Sequence, residues 1–378
     1  MAPNRPIVNG WEGSLRGGQE SLIKNSLALP LSFGYIPLMS TSLPPPQAVR
    51  RIFVWHQGAL GDLLLAGPAL AAVSRHFAGA CLTGVGHPER WGLLAGTLPL
   101  EAVWSGAEAA WAWLFREDAP LPAALRERLA PFQLALVFAP RPHPLLLERL
   151  RQAGIPWVAW APSFAETEGQ SVHRLQAAHL AAMGIGEIPE AFCLRLAGGG
   201  DAEAEMAGFK EMGPFIAVAP GSGHCAKNWP LAHYYEVTRA LAWQHRLKVV
   251  WLAGPAEAFL MPFLEPLARS QNQVVMANQP LCRVAAALAG SRLYLGGDSG
   301  LTHLAAAAGA PAVLALFGPT DPRVWAPPGN HVKVLQAPGL NCAPCAKGRE
   351  ISCQAPRCLQ DLTPEMVMAV AAGLLGDG

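Results

Sequence analysis

From residue 51 onward the chain repeats one local pattern: a short apolar run, a glycine-bearing turn, then a stretch with helical periodicity. Apolar runs at 51–57, 81–85, 132–139 and 156–161 read as strands, and so do 215–219, 248–253, 274–277, 292–295 and 312–317. Helical patterns at 61–77, 121–129, 145–153, 172–183, 231–244, 281–289 and 301–308 lie among them. This alternation leaves few folds open, because a strand–helix–strand unit is right-handed and lays its helix on a parallel sheet. The expected class is α/β, doubly wound. A glycine run, Ala197-Gly198-Gly199-Gly200-Asp201, divides the pattern into two series, 51–197 and 201–340. A length of 378 residues suits two such domains. Ligands of these sheets bind at the carboxyl ends of the strands.

The remaining segments stand apart. Residues 1–50 are rich in Pro, Ser and Gly, end in Pro44-Pro45-Pro46, and read as a disordered extension, with Met39 an alternative start. Prolines and the lack of a clean small-residue cleavage site argue against export. Residues 341–378 hold a cysteine-containing loop and a final helix opened by Thr363-Pro364-Glu365, a capping pattern with Pro in the first turn. The longest uncharged stretch, 299–320, is broken at Gly309-Ala310-Pro311 and reads as interior helix and strand rather than a membrane span. With only 15% charged residues and a formal net charge of +1, the chain lacks the basic field of a general nucleic-acid binder.

Four strand-end turns carry chemistry. In Gly58-Ala59-Leu60-Gly61-Asp62, the carboxylate of Asp62 falls in the first turn of the next helix, a place that keeps it ionised. It is a candidate general base; the bland alternative is an acid that complements the helix dipole. In Pro220-Gly221-Ser222-Gly223, backbone N–H groups can form an anion nest, with the Ser222 hydroxyl as a further donor and Lys227 as a mobile positive charge. The turn is neither a Walker loop nor a G-x-G-x-x-G fingerprint, which disfavours a dinucleotide oxidoreductase. In Ala253-Gly254-Pro255-Ala256-Glu257, Glu257 can hydrogen-bond a sugar hydroxyl or simply open a helix. In Gly296-Gly297-Asp298-Ser299-Gly300-Leu301-Thr302-His303, a strand turns into a helix N-terminus suited to a phosphate, with Asp298 placed for a sugar hydroxyl. His303 lies one turn inside, facing that phosphate or packed in the core. The motif Phe317-Gly318-Pro319-Thr320-Asp321-Pro322 follows.

In this order the motifs resemble those of glycosyltransferase family 9, the ADP-heptose:lipopolysaccharide heptosyltransferases, from Arg51 to the C-terminus. The resemblance implies a GT-B architecture, two Rossmann-like domains facing across a cleft, and an inverting mechanism that needs no essential metal or cofactor. It implies Asp62 as catalytic base and an acceptor-binding first domain. Donor contacts then fall on Ser222, Lys227, Glu257, Asp298, Ser299, Gly300 and His303, beside the N–H groups of Gly221 and Gly223. The implied partners are an ADP-heptose donor and a lipid-linked saccharide acceptor, with cytoplasmic location, at most peripheral membrane contact, and a last helix that packs back on the first domain. Two places depart from the family pattern: His56 stands where Arg is common, and Ala277-Asn278-Gln279-Pro280 lacks the usual Gly-Lys or Gly-Thr. A catalytically silent nucleotide-sugar-binding protein is the reading from another class. Candidate acceptor cations are Arg90, Arg116, Arg141 and Arg149.

Of eight cysteines, Cys81, Cys193, Cys225 and Cys282 sit among apolar neighbours and read as reduced core residues. Cys342, Cys345, Cys353 and Cys358 have paired spacing that suits a structural zinc site or reduced structural thiols.

Overall fold

The structure is a computed structural model and describes residues 43–164, 169–196, 208–209, 211–271, 273–345, 351, 353 and 356–376. In the first lobe β1 (Arg51–His56) leads through α1 (Leu60–Leu65) and α2 (Gly67–His76) to β2 (Cys81–Gly86). Then come α3 (Pro88–Gly92), β3 (Leu100–Ser105), α4 (Ala123–Leu129), β4 (Leu134–Ala139), α5 (Pro144–Gln152), β5 (Trp157–Pro162) and α6 (Val172–Ala182). The second lobe holds β6 (Phe215–Ala219), α7 (Leu231–His245), β7 (Lys248–Ala253), α8 (Met261–Gln271), β8 (Val274–Ala277) and α9 (Leu281–Gly290). It continues with β9 (Leu293–Gly297), α10 (Gly300–Ala308), β10 (Val313–Leu316), α11 (Pro322–Trp325), β11 (Val332–Leu335), α12 (Arg357–Gln360) and α13 (Pro364–Leu375).

Each lobe is built on one parallel sheet. The strand orders are β3-β2-β1-β4-β5 and β11-β10-β9-β6-β7-β8. In the first, Ile52 of β1 lies beside Leu82 and Leu134; in the second, Ile216 of β6 lies beside Val249 and Leu293. Both orders reverse at the first strand of the lobe, between β1 and β4 and between β6 and β9. A crevice opens there, because the chain leaves the two neighbouring strands in opposite directions. Strands β6 and β9 are buried along their whole length, which requires the continuous apolar runs that the sequence shows. The edge strands β3 and β11 are half-exposed and carry Glu101 and Lys333, so no apolar run marks them.

The core does not stop at the lobe boundary. One apolar cluster runs from Ile52, Val54 and Leu70 through Leu63 and Leu304 to Ala217 and Tyr294. Both lobes lie in a single compact unit, Ser40–Gly378. Between them, the chain near Phe192 packs into the seam, and the Leu194 N–H donates to the Ala307 carbonyl at 2.7 Å.

Several expectations are corrected. The helix expected over 61–77 is two helices, because Pro68 has no N–H to continue the first. Residues 43–50 are ordered rather than part of a disordered extension: 46–48 form a 3-10 turn and Val49 is fully buried. Residues 1–42 and the glycine seam at 197–201 lie outside the described residues. The last helix packs on α7 and β9 of the second lobe, where Val367 and Ala371 join Tyr234, Val237 and Leu241 in one cluster. Apolar matching to the nearest helix decides its place. Cys81, Cys193, Cys225 and Cys282 are exposed rather than core residues: Cys81, Cys225 and Cys282 stand at the starts of a strand, a 3-10 turn and a helix, and Cys193 lies in irregular chain between the lobes.

Candidate active site

The turn that carries Asp62 is held by backbone contacts. The Asp62 carboxylate accepts the Ala59 N–H through Oδ2 at 2.9 Å, which fixes it over the N-terminal turn of α1. Arg90 donates to the Gly58 carbonyl at 3.1 Å and braces the same turn. Beneath it His56 is 2% exposed, accepts the Gly58 N–H through Nδ1 at 3.3 Å, and leaves Nε2 without a partner among the described residues. Burial pushes its pKa down to about 4, against the opposing pull of Asp62, so the ring is neutral at pH 7.

The second lobe contributes its switch-point strands. Lys227, in a short 3-10 turn after β6, donates to Asp298 Oδ2 at 3.0 Å, and Thr320, after β10, donates to the same oxygen at 2.8 Å. Asp298 is 8% exposed. Lys227 is therefore not a mobile charge in this structure but one arm of a pair that ties the ends of β6, β9 and β10 together. Asp298 spends an oxygen on protein donors, which the sequence reading did not foresee. Thr320 completes the group, and the signal for it was present in the Phe317–Pro322 motif.

Other assigned residues take local roles. The Ser222 hydroxyl lies 2.7 Å from Asn228 Oδ1 and 2.8 Å from the His224 carbonyl, so it shapes its own turn. Glu257 accepts the Gly254 N–H at 2.9 Å, opening a helix as the bland reading has it, while its side chain lies against Gly221. Gly223 is exposed. Ser299 is the N-cap of α10 with its hydroxyl 3.4 Å from Thr302 Oγ1, and Thr302 also bonds the buried Tyr294 hydroxyl at 3.0 Å. His303 is buried, and burial lowers its pKa, while Asp298 and Asp62 both pull it up. The Asp62 side and the Asp298 side thus act on one imidazole.

Of the candidate acceptor cations, Arg149 is buried and bonds the Trp113 and Ala119 carbonyls and Gln152, a structural role. Arg116 pairs with Asp118 at 3.0 Å and lies over Trp113. Among the late cysteines Cys342 and Cys345 are exposed and Cys358 is buried. Burial, then the neighbouring thiols of Cys345, Cys353 and Cys342, push the Cys358 thiol up to about 11. Among the described residues no three metal-ligating side chains stand ready to hold an ion.

Two parallel α/β lobes with polar groups gathered at both switch points give the chain the GT-B fold. Residues 191–354 match the model of glycosyltransferase family 9 (heptosyltransferase). Lipopolysaccharide heptosyltransferase 1 of Pseudomonas aeruginosa is 32% identical over 137 residues, 35% of this chain and 37% of that protein. The aligned part therefore spans little more than a third of that relative. The glycosyl transferase family 9 structure from Veillonella parvula superposes with a TM-score of 0.69 at 16% identity, over 86% of this chain and 97% of that one. The E. coli heptosyltransferase WaaC with ADP does so with 0.62 at 19%, over 85% and 98%. These superpositions show a shared fold. Among the described residues no helix is long and apolar enough to cross a membrane.

Proposed function

We propose that the protein is an inverting glycosyltransferase that moves heptose, or a related sugar, from an ADP-activated donor to a lipopolysaccharide core-type acceptor. The observation that carries this reading is the facing of two different devices. One is the backbone-held carboxylate Asp62 after β1; the other is the Lys227–Asp298–Thr320 group at the β6/β9 switch point, with His303 under the influence of both. A switch-point crevice bearing a cation and a helix N-terminus suits a diphosphate. The structural neighbour solved with ADP supports the adenine nucleotide.

In this reading the first lobe, within 51–197, holds the acceptor and 201–340 holds the donor. Asp62 takes the proton of the acceptor hydroxyl as that oxygen attacks the anomeric carbon. The nucleoside diphosphate leaves from the opposite face, which inverts the centre. Lys227, the N–H groups of the Gly221–Gly223 turn and the N-terminus of α10 meet the charge that develops on it. Ser222, Glu257, Asp298, Ser299, Gly300 and His303 line or shape that side. Transfer of this kind draws on no metal or cofactor. We place any metal bound at Cys342, Cys345, Cys353 and Cys358 in a structural role, since Cys358 and Cys345 are anchored on the turn at Gly318 and Pro319, behind Thr320. Zinc content of protein purified without chelator reads that directly. The reaction is assigned to the cytoplasmic side, at the inner face of the membrane that carries the acceptor.

A thermal-shift series with ADP-, UDP- and GDP-sugars followed by transfer to a heptose-deficient core acceptor tests the reading. Stabilisation by the ADP-sugar with product formation is the expected result. Binding without consumption of the donor would leave a silent nucleotide-sugar-binding protein.

A further inference from the structure

The turn that carries Asp62 does not merely face the second lobe; it rests on it. A Cβ placed on Gly61 would fall 2.8 Å from Cδ2 of His303, closer than carbon atoms pack, so the imidazole occupies the space of the missing side chain. A reciprocal contact is made at Gly300, where a Cβ would stand 3.1 Å from Cβ of Leu60. The first turns of α1 and α10 thus cross in near contact, and a glycine on each side is what lets them. A second tie lies to one side: Glu89, in α3, accepts the Leu281 N–H at the start of α9 at 2.8 Å. Two contacts between the same bodies restrict both their spacing and their rotation.

We propose that the Gly61–His303 contact is a positioning device, in which the His303 ring sets the distance of the Asp62 carboxylate from the donor lobe. This rests on the functional reading above and adds a role for His303 exerted through Asp62. The lever is short. Asp62 follows Gly61 directly in the same helical turn, so a shift at Gly61 reaches the carboxylate undiminished. A misplacement of about 1 Å costs on the order of 10²-fold in rate. On the donor side, Lys227 and Thr320 both donate to Asp298 within their own lobe, in bonds that do not involve this contact.

Gly61→Ala tests it. The expected result is a kcat lowered by about 10–100-fold, with the dissociation constant for ADP within about threefold of wild type. In a His303→Ala background, itself slowed, adding Gly61→Ala should change kcat by less than about threefold, because the clash is gone. Gly300→Ala alone and with Leu60→Ala repeats the logic on the reciprocal contact, should Gly61→Ala fold poorly. Wild-type kcat in Gly61→Ala, or equal loss in both backgrounds, overturns the proposal. If the wild-type protein transfers no sugar, the functional reading fails instead. The contact is then judged from urea midpoints of the same four proteins, where additive effects overturn it.

Discussion

The turn after β1 and the turns after β6 and β9 sit at the same topological position in their sheets, yet they hold charge in opposite ways. Asp62 is fixed by a backbone N–H on a six-residue helix, with Arg90 bracing the turn through a carbonyl. Asp298 is fixed by side chains, Lys227 and Thr320, that arrive from neighbouring strand ends. A backbone-held acid keeps its place relative to its own turn and moves only when that turn moves. A side-chain pair can exchange partners, which suits the diphosphate binding and release proposed for this site.

The sharpest way to break this contrast is Asp62→Ala, which should lower kcat by roughly 10²–10⁴-fold while leaving ADP affinity unchanged. Turnover at the wild-type rate would remove Asp62 from the role of base. Next in size is the pH response of the floor beneath it. His56 has a folded pKa of about 4 against an ordinary 6.5, so the unfolded chain binds a proton that the folded one refuses. Stability is then full above pH 6.5 and falls as pH drops toward 4, by roughly 3 kcal/mol at most. His303 adds in the same direction, because burial lowers its pKa too. Urea midpoints across that range should flatten in His56→Gln, and an unchanged slope would acquit His56.

Lys227→Ala probes the other side. It leaves a carboxylate with 10% of its side chain exposed without its cation, Thr320 still donating to it, and should cost about 1–3 kcal/mol of stability as well as weakening ADP binding. If ADP affinity is untouched, the pair is structural only. The smallest effect belongs to the tie between lobes: Glu89→Ala removes an exposed partner of the α9 N-terminus and should cost about 0.5–1 kcal/mol in urea unfolding, with kcat within a few-fold of wild type.

Much of the fold was legible along the chain. Strands β6 and β7, buried apart from Lys248, match the expected runs residue for residue, because a strand covered on both faces must be continuously apolar. The half-exposed strands β3 and β11 were not legible, since Glu101 and Lys333 interrupt their apolar runs. The motifs marked Asp62, Lys227, Asp298 and His303, but not who holds whom. Thr320 was part of a motif without an assigned task, and Arg149 stood among the candidate acceptor cations until burial showed it serving carbonyls.

The sequence alone determined two parallel sheets and the strand ends where polar groups gather, because periodicity and local turn chemistry are properties of neighbours in the chain. Only the tertiary structure decided that Lys227 meets Asp298, 71 positions away, that Glu89 caps a helix 192 positions away, and that Gly61 yields its space to His303. Those pairings depend on how two lobes register against each other, and register is set by packing across the seam rather than by any local pattern.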